Sequence, residues 1–134
     1  MPARIKICGI TRIEDALAAA RLGTDAIGLV FWPQSARAVT PAKAREIVAV
    51  LPPFVSSVGV YVDPEAEWVE QTASVAGLNL LQFHGDEPPE FCTQFGVMSM
   101  KAFRVRDAAA AYARALERGA WAVPTHVEVM ELNI

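Results

Sequence analysis

The chain has 134 residues, 53% of them hydrophobic and 20% charged, with a formal net charge of −3. That is room for one domain with its own core, and the composition is far from that of a disordered chain. The acidic balance excludes nucleic acid or an anionic membrane as the main partner, but not a small phosphorylated ligand held by a local site. Cys8 and Cys92 lie far apart and form no metal-type spacing. Neither a signal-like h-region nor a run of the roughly 20 apolar residues that a membrane span needs is present. The expectation is a cytoplasmic domain with reduced thiols.

Strand and helix patterns alternate along the chain. Arg4 to Cys8 reads as a strand and leads into a helix with a capping box at Thr11-Arg12-Ile13-Glu14 and a stop at Gly23. Asp25 to Phe31 is the second strand, and Thr40-Pro41 opens a helix through Leu51 with a threonine cap and proline at the first helical position. Phe54 to Val62 is the third strand, and Asp63-Pro64-Glu65 repeats the cap-then-proline device for a helix ending near Gly77. Leu78 to Phe83 is followed by a short helix after Pro88-Pro89; Val97 to Phe103 is followed by an alanine-rich helix from Asp107 to Gly119. Ala120 to Val123 has the composition to begin a sixth strand. Strands separated by helices imply a parallel sheet with right-handed crossovers, and five such units fit either a doubly wound sheet or part of a barrel.

In parallel α/β proteins, ligands gather at the carboxyl ends of the strands. Those positions here are Cys8-Gly9, the Phe31 to Arg37 loop, Tyr61 to Asp63, Gln82 to Asp86, and Arg104. Lys6 has the strand parity of Cys8, so both point to one face while Ile5 and Ile7 point to the other. A cation on the face carrying a thiol favours its thiolate, although a strand-end cysteine is more often a small buried hydrophobe. Gln82 and His84 share a face, and Gly85 permits a sharp turn or a close approach. Arg37 stands over the same end, where its planar fork suits a carboxylate or phosphate. The glycine-rich phosphate motifs and the zinc and serine-hydrolase motifs are absent. Trp32, Trp68 and Trp121 are scattered and read as packing residues.

The residues at these strand ends resemble one enzyme family. Its carriers are Lys6-Ile7-Cys8-Gly9-Ile10-Thr11 with Glu14-Asp15-Ala16, Gly28-Leu29-Val30-Phe31, Pro33-Gln34-Ser35-Ala36-Arg37 and Val58-Gly59-Val60-Tyr61-Val62. Leu81-Gln82-Phe83-His84-Gly85-Asp86-Glu87 and Lys101-Ala102-Phe103-Arg104-Val105 complete the set. In order and spacing they resemble phosphoribosylanthranilate isomerase from about Ile5 to about Gly119. The resemblance implies a parallel (βα)8 TIM barrel, here incomplete, with about five βα units and the start of a sixth strand in a single domain over residues 1–134. It also implies an Amadori rearrangement in tryptophan biosynthesis, from N-(5′-phosphoribosyl)anthranilate to 1-(2-carboxyphenylamino)-1-deoxyribulose 5-phosphate, with no metal or cofactor. By the same resemblance Cys8 is the general base, Arg37 holds the anthranilate carboxylate, and His84 lines the site; Gln82 and Lys6 join them as expected substrate-binding residues from their strand faces, with Lys6 also the source of positive potential for Cys8.

The family's general-acid aspartate ends strand six, whereas this chain reads Ala120-Trp121-Ala122-Val123-Pro124-Thr125-His126, with Thr125 near that position and Glu128 the nearest carboxylate. Residues 120–134 diverge from the family pattern, and its glycine-rich phosphate turns are not found. The expectation is therefore a chain without its general acid, inactive by itself and prone to self-associate through open barrel edges. Two alternatives stand beside the isomerase: a non-catalytic fragment of that enzyme, and another phosphosugar barrel lyase or epimerase.

Overall fold

A computed structural model of the chain describes residues 3–103 together with Ala113 and Glu117. The chain divides into two compact units, residues 1–102 and 103–134, and the sheet lies in the first. Ala113 and Glu117 are helical, within the helix expected from Asp107 to Gly119. The rest of that helix lies outside the described residues, as do Arg104, the expected strand at Ala120, Thr125, Glu128 and the tail.

Over residues 6–101, five strands and four helices follow in strict alternation: β1 (Lys6–Cys8), α1 (Ile13–Arg21), β2 (Ala26–Val30), α2 (Pro41–Ala49), β3 (Ser56–Tyr61), α3 (Ala66–Ala76), β4 (Leu80–Phe83), α4 (Pro89–Cys92) and β5 (Met98–Lys101). All neighbours pair in parallel, and their order across the sheet is the order of the chain. A doubly wound sheet reverses direction at a switch point and carries helices on both faces. Sequential order with right-handed crossovers puts every helix on one face, as a barrel requires.

The register assigns the two faces. Cys8 pairs with Gly28, Gly28 with Val58 and Gln82 with Met100, so these residues share one side. Ile27, Leu29, Tyr61, Leu81 and Phe83 have the opposite parity. They form the core with Ala16, Ala19, Ala44, Ile47, Val69 and Ala76 of the helices. Small residues on the helices let them lie close on the sheet, where an aromatic row runs from Phe31 through Tyr61 to Phe83, with ring centroids 5.5 and 5.7 Å apart. Trp68 packs edge-on against Phe31 and donates its indole N–H to the Phe31 carbonyl at 2.9 Å. That agrees with its expected packing role and ties α3 to the end of β2.

The ends of the elements depart from expectation in three places. The capping box before α1 does not form: Arg12, not Thr11, is the cap residue, without a side-chain cap bond. The helix starts one position later than the box needs, and the Arg12 guanidinium instead makes a two-pronged pair with Asp15 at 2.8 and 2.9 Å. Thr40 does cap α2, its hydroxyl accepting from the Lys43 amide at 3.2 Å with Pro41 at the first position. Asp63, expected to cap α3, does not. Glu65 occupies that position, while Asp63 takes a left-handed backbone with φ 44° and its carboxylate bonds elsewhere. Phe54, expected in β3, lies before the strand and is 94% exposed.

Candidate functional site

The carboxyl ends of the strands hold nearly every polar group singled out in the sequence. Lys6 and Cys8 lie on the side of the sheet away from the helices, as does Gln82 three strands away. The Lys6 ammonium donates to Gln82 Oε1 at 2.6 Å. Parallel strands are about 4.8 Å apart, so a flat sheet would separate these backbones by roughly 14 Å. Two side chains projecting from a flat sheet do not close that distance; the sheet curls until β1 and β4 face each other. The hydrogen bond is a chord across a concave, barrel-like interior.

Cys8 is half-buried at the end of β1. Room for its thiol comes from Gly28 on the paired strand, where an added Cβ would stand 2.6 Å from Cys8 Sγ. Gly9 follows with φ 81°, and the Arg37 side chain lies in the space where a Cβ at Gly9 would be. Arg37 donates from Nη1 to the Cys8 carbonyl at 2.9 Å. The Arg37 backbone is fixed in turn by Ser35, whose hydroxyl accepts from the Arg37 amide at 3.2 Å. The loop after β2 thus lays its guanidinium directly over the end of β1. Nothing in the sequence gives Gly28 a role, although its neighbour across the sheet is the expected base.

The end of β4 is organised around Glu87, to which sequence patterns assign no role, together with Asp63, Gly85 and Lys101. His84 is exposed, and its amide donates to the Tyr61 carbonyl at 2.9 Å. Glu87, whose side chain is only 2% exposed, accepts from the Asp63 amide at 2.8 Å and from the Gly85 amide at 2.9 Å. It also accepts from the Lys101 ammonium at 2.7 Å, and Lys101 reaches the Gly85 and Phe83 carbonyls as well. Asp63 returns the link by accepting from the Asp86 amide at 2.7 Å. Gly85 is needed here because the Asp63 carboxylate fills its Cβ position, so the expected close approach is met by protein. An acid three residues past a histidine is the one signal the sequence offers, and without the fold it has no partner.

Among the described residues no cluster of three histidine, cysteine or acidic side chains could hold a metal, and no helix is long and apolar enough to cross a membrane. A groove of about 490 Å³ runs between the C-terminal halves of α2 and α3, lined by Arg45, Val48, Val75 and Gly77. Those helix ends lie toward the amino ends of the strands, remote from Cys8.

A curled parallel sheet, sequential strand order and polar groups gathered at the carboxyl ends define an α/β protein of the (βα)8-barrel class. The family model described as N-(5′-phosphoribosyl)anthranilate (PRA) isomerase matches residues 5–123. The chain belongs to the N-(5′-phosphoribosyl)anthranilate isomerase family, a family of enzymes. The isomerase of Nitrosospira multiformis is 68% identical over 106 residues, 79% of this chain and 51% of the relative. That of Nitrosomonas europaea is 59% identical over 107 residues, 80% of this chain and 51% of the relative. The chain thus spans about half the length of the curated relatives it matches. Among solved structures, the phosphoribosylanthranilate isomerase of Thermotoga maritima superposes with a TM-score of 0.83 at 44% identity, covering 87% of this chain and 57% of that one. A phosphoribosylanthranilate isomerase in complex with reduced 1-(o-carboxyphenylamino)-1-deoxyribulose 5-phosphate matches with a TM-score of 0.82 at 44% identity, covering 87% and 60%.

Proposed function

We propose that this chain carries the substrate-binding and proton-abstracting part of an isomerase that converts N-(5′-phosphoribosyl)anthranilate to 1-(2-carboxyphenylamino)-1-deoxyribulose 5-phosphate. The observation that carries the reading is the meeting of Cys8, Lys6, Gln82 and Arg37 at one end of a concave sheet. Opening of the ribose ring gives a Schiff base, from which Cys8 as thiolate removes the C2′ proton; the enolamine then tautomerises to the ketone. Arg37 exchanges its bond to the Cys8 carbonyl for the anthranilate carboxylate, a charge-assisted pair that its fork favours. Gln82, Lys6 and His84 line the site, with Lys6 and His84 offering donors to the phosphorylated sugar. The proton that opens the ring comes from a group outside the described residues. Support comes from the family, from the bound ligand named for the similar structure, and from the acidic chain's local supply of cationic groups at this one end. The setting of a biosynthetic enzyme supports a cytoplasmic location. The β1 edge supports self-association, because among the described residues β1 pairs only with β2.

The test has two parts on one sample: fluorescence-detected turnover of N-(5′-phosphoribosyl)anthranilate, and calorimetric binding of the reduced product analogue. Turnover abolished by Cys8→Ala supports the full reading. Binding without turnover supports the non-catalytic alternative, in which the site holds ligand but lacks its acid. Failure to bind the analogue at all overturns the proposed site.

A further inference from the structure

We infer that Glu87 is a positioning residue, which acts through Lys101 and the Gly85 amide to set the His84–Asp86 turn at the ligand end of the sheet. The inference rests on the proposed function for the identity of the ligand, but its geometry does not. Removing a carboxylate from water is costly unless charge and hydrogen bonds replace the lost hydration. Glu87 has both, from one ammonium and two backbone amides. These partners stand at the ends of three successive strands: Asp63 follows β3, Gly85 follows β4, and Lys101 closes β5.

Two further features point to the same turn. Asp63 is the sole non-glycine residue with positive φ among the described residues, a conformation that costs energy and persists where surroundings enforce it. Its backbone amide donates to Glu87 while its carboxylate accepts from Asp86. Gly85, in turn, admits no side chain, because the Asp63 carboxylate occupies the Cβ position. Strain, close approach and a buried charge therefore converge on Asp63, Gly85 and Glu87, which are bonded or packed together at the His84–Asp86 turn. In barrels the carboxyl end is where chemistry sits and the amino end is where stability is invested. Packing alone would be met more readily by an apolar side chain at residue 87. The ion pair makes the turn rigid while leaving His84 exposed.

The test uses the full 134-residue chain and Glu87→Gln, which keeps the side chain's shape and an amide-accepting oxygen but removes the charge facing Lys101. Two readouts are taken: the ring signals of His84 in proton–carbon correlation spectra without ligand, and the affinity for the reduced carboxyphenylamino-deoxyribulose phosphate. The chain has two histidines, and His126→Gln assigns them. Ser57→Ala is the control, because it removes buried hydrogen bonds to Gly77 and Asn79 at the amino end of β3, the end of the sheet opposite the turn. Glu87→Gln is expected to shift the His84 signals and weaken the analogue about 10- to 100-fold, the loss of one charge-assisted bond. Ser57→Ala is expected to lower Tm while leaving both readouts at their original values. Glu87→Asp, which restores the charge, should recover part of the affinity. If Glu87→Gln lowers Tm but leaves the His84 signals and the affinity as in Ser57→Ala, the residue is only structural and the inference is overturned. Should Glu87→Gln not fold, Lys101→Met takes its place in the same two measurements: shifted His84 signals with weakened binding support the inference, and unchanged values overturn it. If the unaltered chain does not bind the analogue, the proposed function falls, and the ligand-free His84 signals alone decide the role of Glu87.

Discussion

Cys8 and the groups around it are where individual atoms decide behaviour. As the general base of the proposed reaction, its loss in Cys8→Ala should lower kcat by about 10²–10⁴-fold in an active form of the enzyme. Turnover within threefold of the parent would reduce Cys8 to packing. Arg37→Ala should raise KM more than it lowers kcat, since a carboxylate contact made equally in substrate and transition state is uniform binding. A substrate analogue lacking the carboxylate should be indifferent to that change. Gly28 makes a separate, structural prediction. A methyl group there meets Cys8 Sγ, so Gly28→Ala should destabilise by about 1–3 kcal/mol through overpacking. Combining it with Cys8→Ala removes the nearest clashing atom and should restore much of that loss. Strict additivity of the two changes in urea unfolding would show that the thiol does not occupy the space over Gly28.

Helix ends and layers show which local signals matter. Thr40 makes a real cap to α2, and Thr40→Ala should cost about 0.5–2 kcal/mol. Thr11 makes no such bond to α1, so Thr11→Ala should leave Tm nearly unchanged; equal losses from both would contradict the helix starts. Between β3 and α3, the Tyr61 hydroxyl and Thr72 Oγ1 are 2.6 Å apart in the core. Burial pushes the Tyr61 phenol up to about 12, more than the Thr72 hydrogen bond lowers it. The unfolded chain ionises this group first, near the usual value of about 10. Its contribution is therefore intact below about pH 10 and is lost as pH rises from there toward about 12. Tyr61→Phe should cost about 0.5–1.5 kcal/mol at pH 7 and flatten the fall in stability above pH 10. An unchanged alkaline profile would mean that Tyr61 is not the group titrating. At the acid end, Asp25 is held below the usual carboxylate range first by the Ile5 amide and then by the Arg4 guanidinium. That depressed value supports the β1–β2 junction above the unfolded carboxylate value and ceases to do so as pH falls through the folded one.

At the scale of the whole molecule, the sheet leaves β1 paired on one side among the described residues. Ile5 and Ile7 are 52% and 38% exposed there. An edge with apolar side chains and unpaired backbone groups is a template for another chain. The expected outcome is concentration-dependent association, measured by light scattering, and its weakening by Ile7→Lys, since an edge lysine opposes strand addition. A monomer at every concentration would remove the β1 edge as an interface.

Alternation of strand and helix, the parallel sheet and five βα units are all legible in the sequence, because each rests on a local period, a proline or a glycine stop. So are Lys6, Cys8, Gln82, His84 and Arg37 as a group, since strand parity and strand ends place them without knowledge of what they touch. The choice of barrel over doubly wound sheet comes from the resemblance in KICGIT and QFHGDE; periodicity is the same in both, and strand order is a property of pairing. Tertiary structure alone decided the contacts of Asp63, Glu87 and Gly28. Asp63 before Pro64 looks like a helix cap, and only the arrival of Asp86 and Gly85 from the next strand draws its carboxylate away. Glu87 looks like a surface acid until Lys101, fourteen residues on, meets it out of water. Gly28 looks like any strand glycine until register sets it against the Cys8 thiol. Local chemistry is written in neighbouring residues, whereas a buried charge or a missing side chain takes its meaning from what the fold brings across the gap.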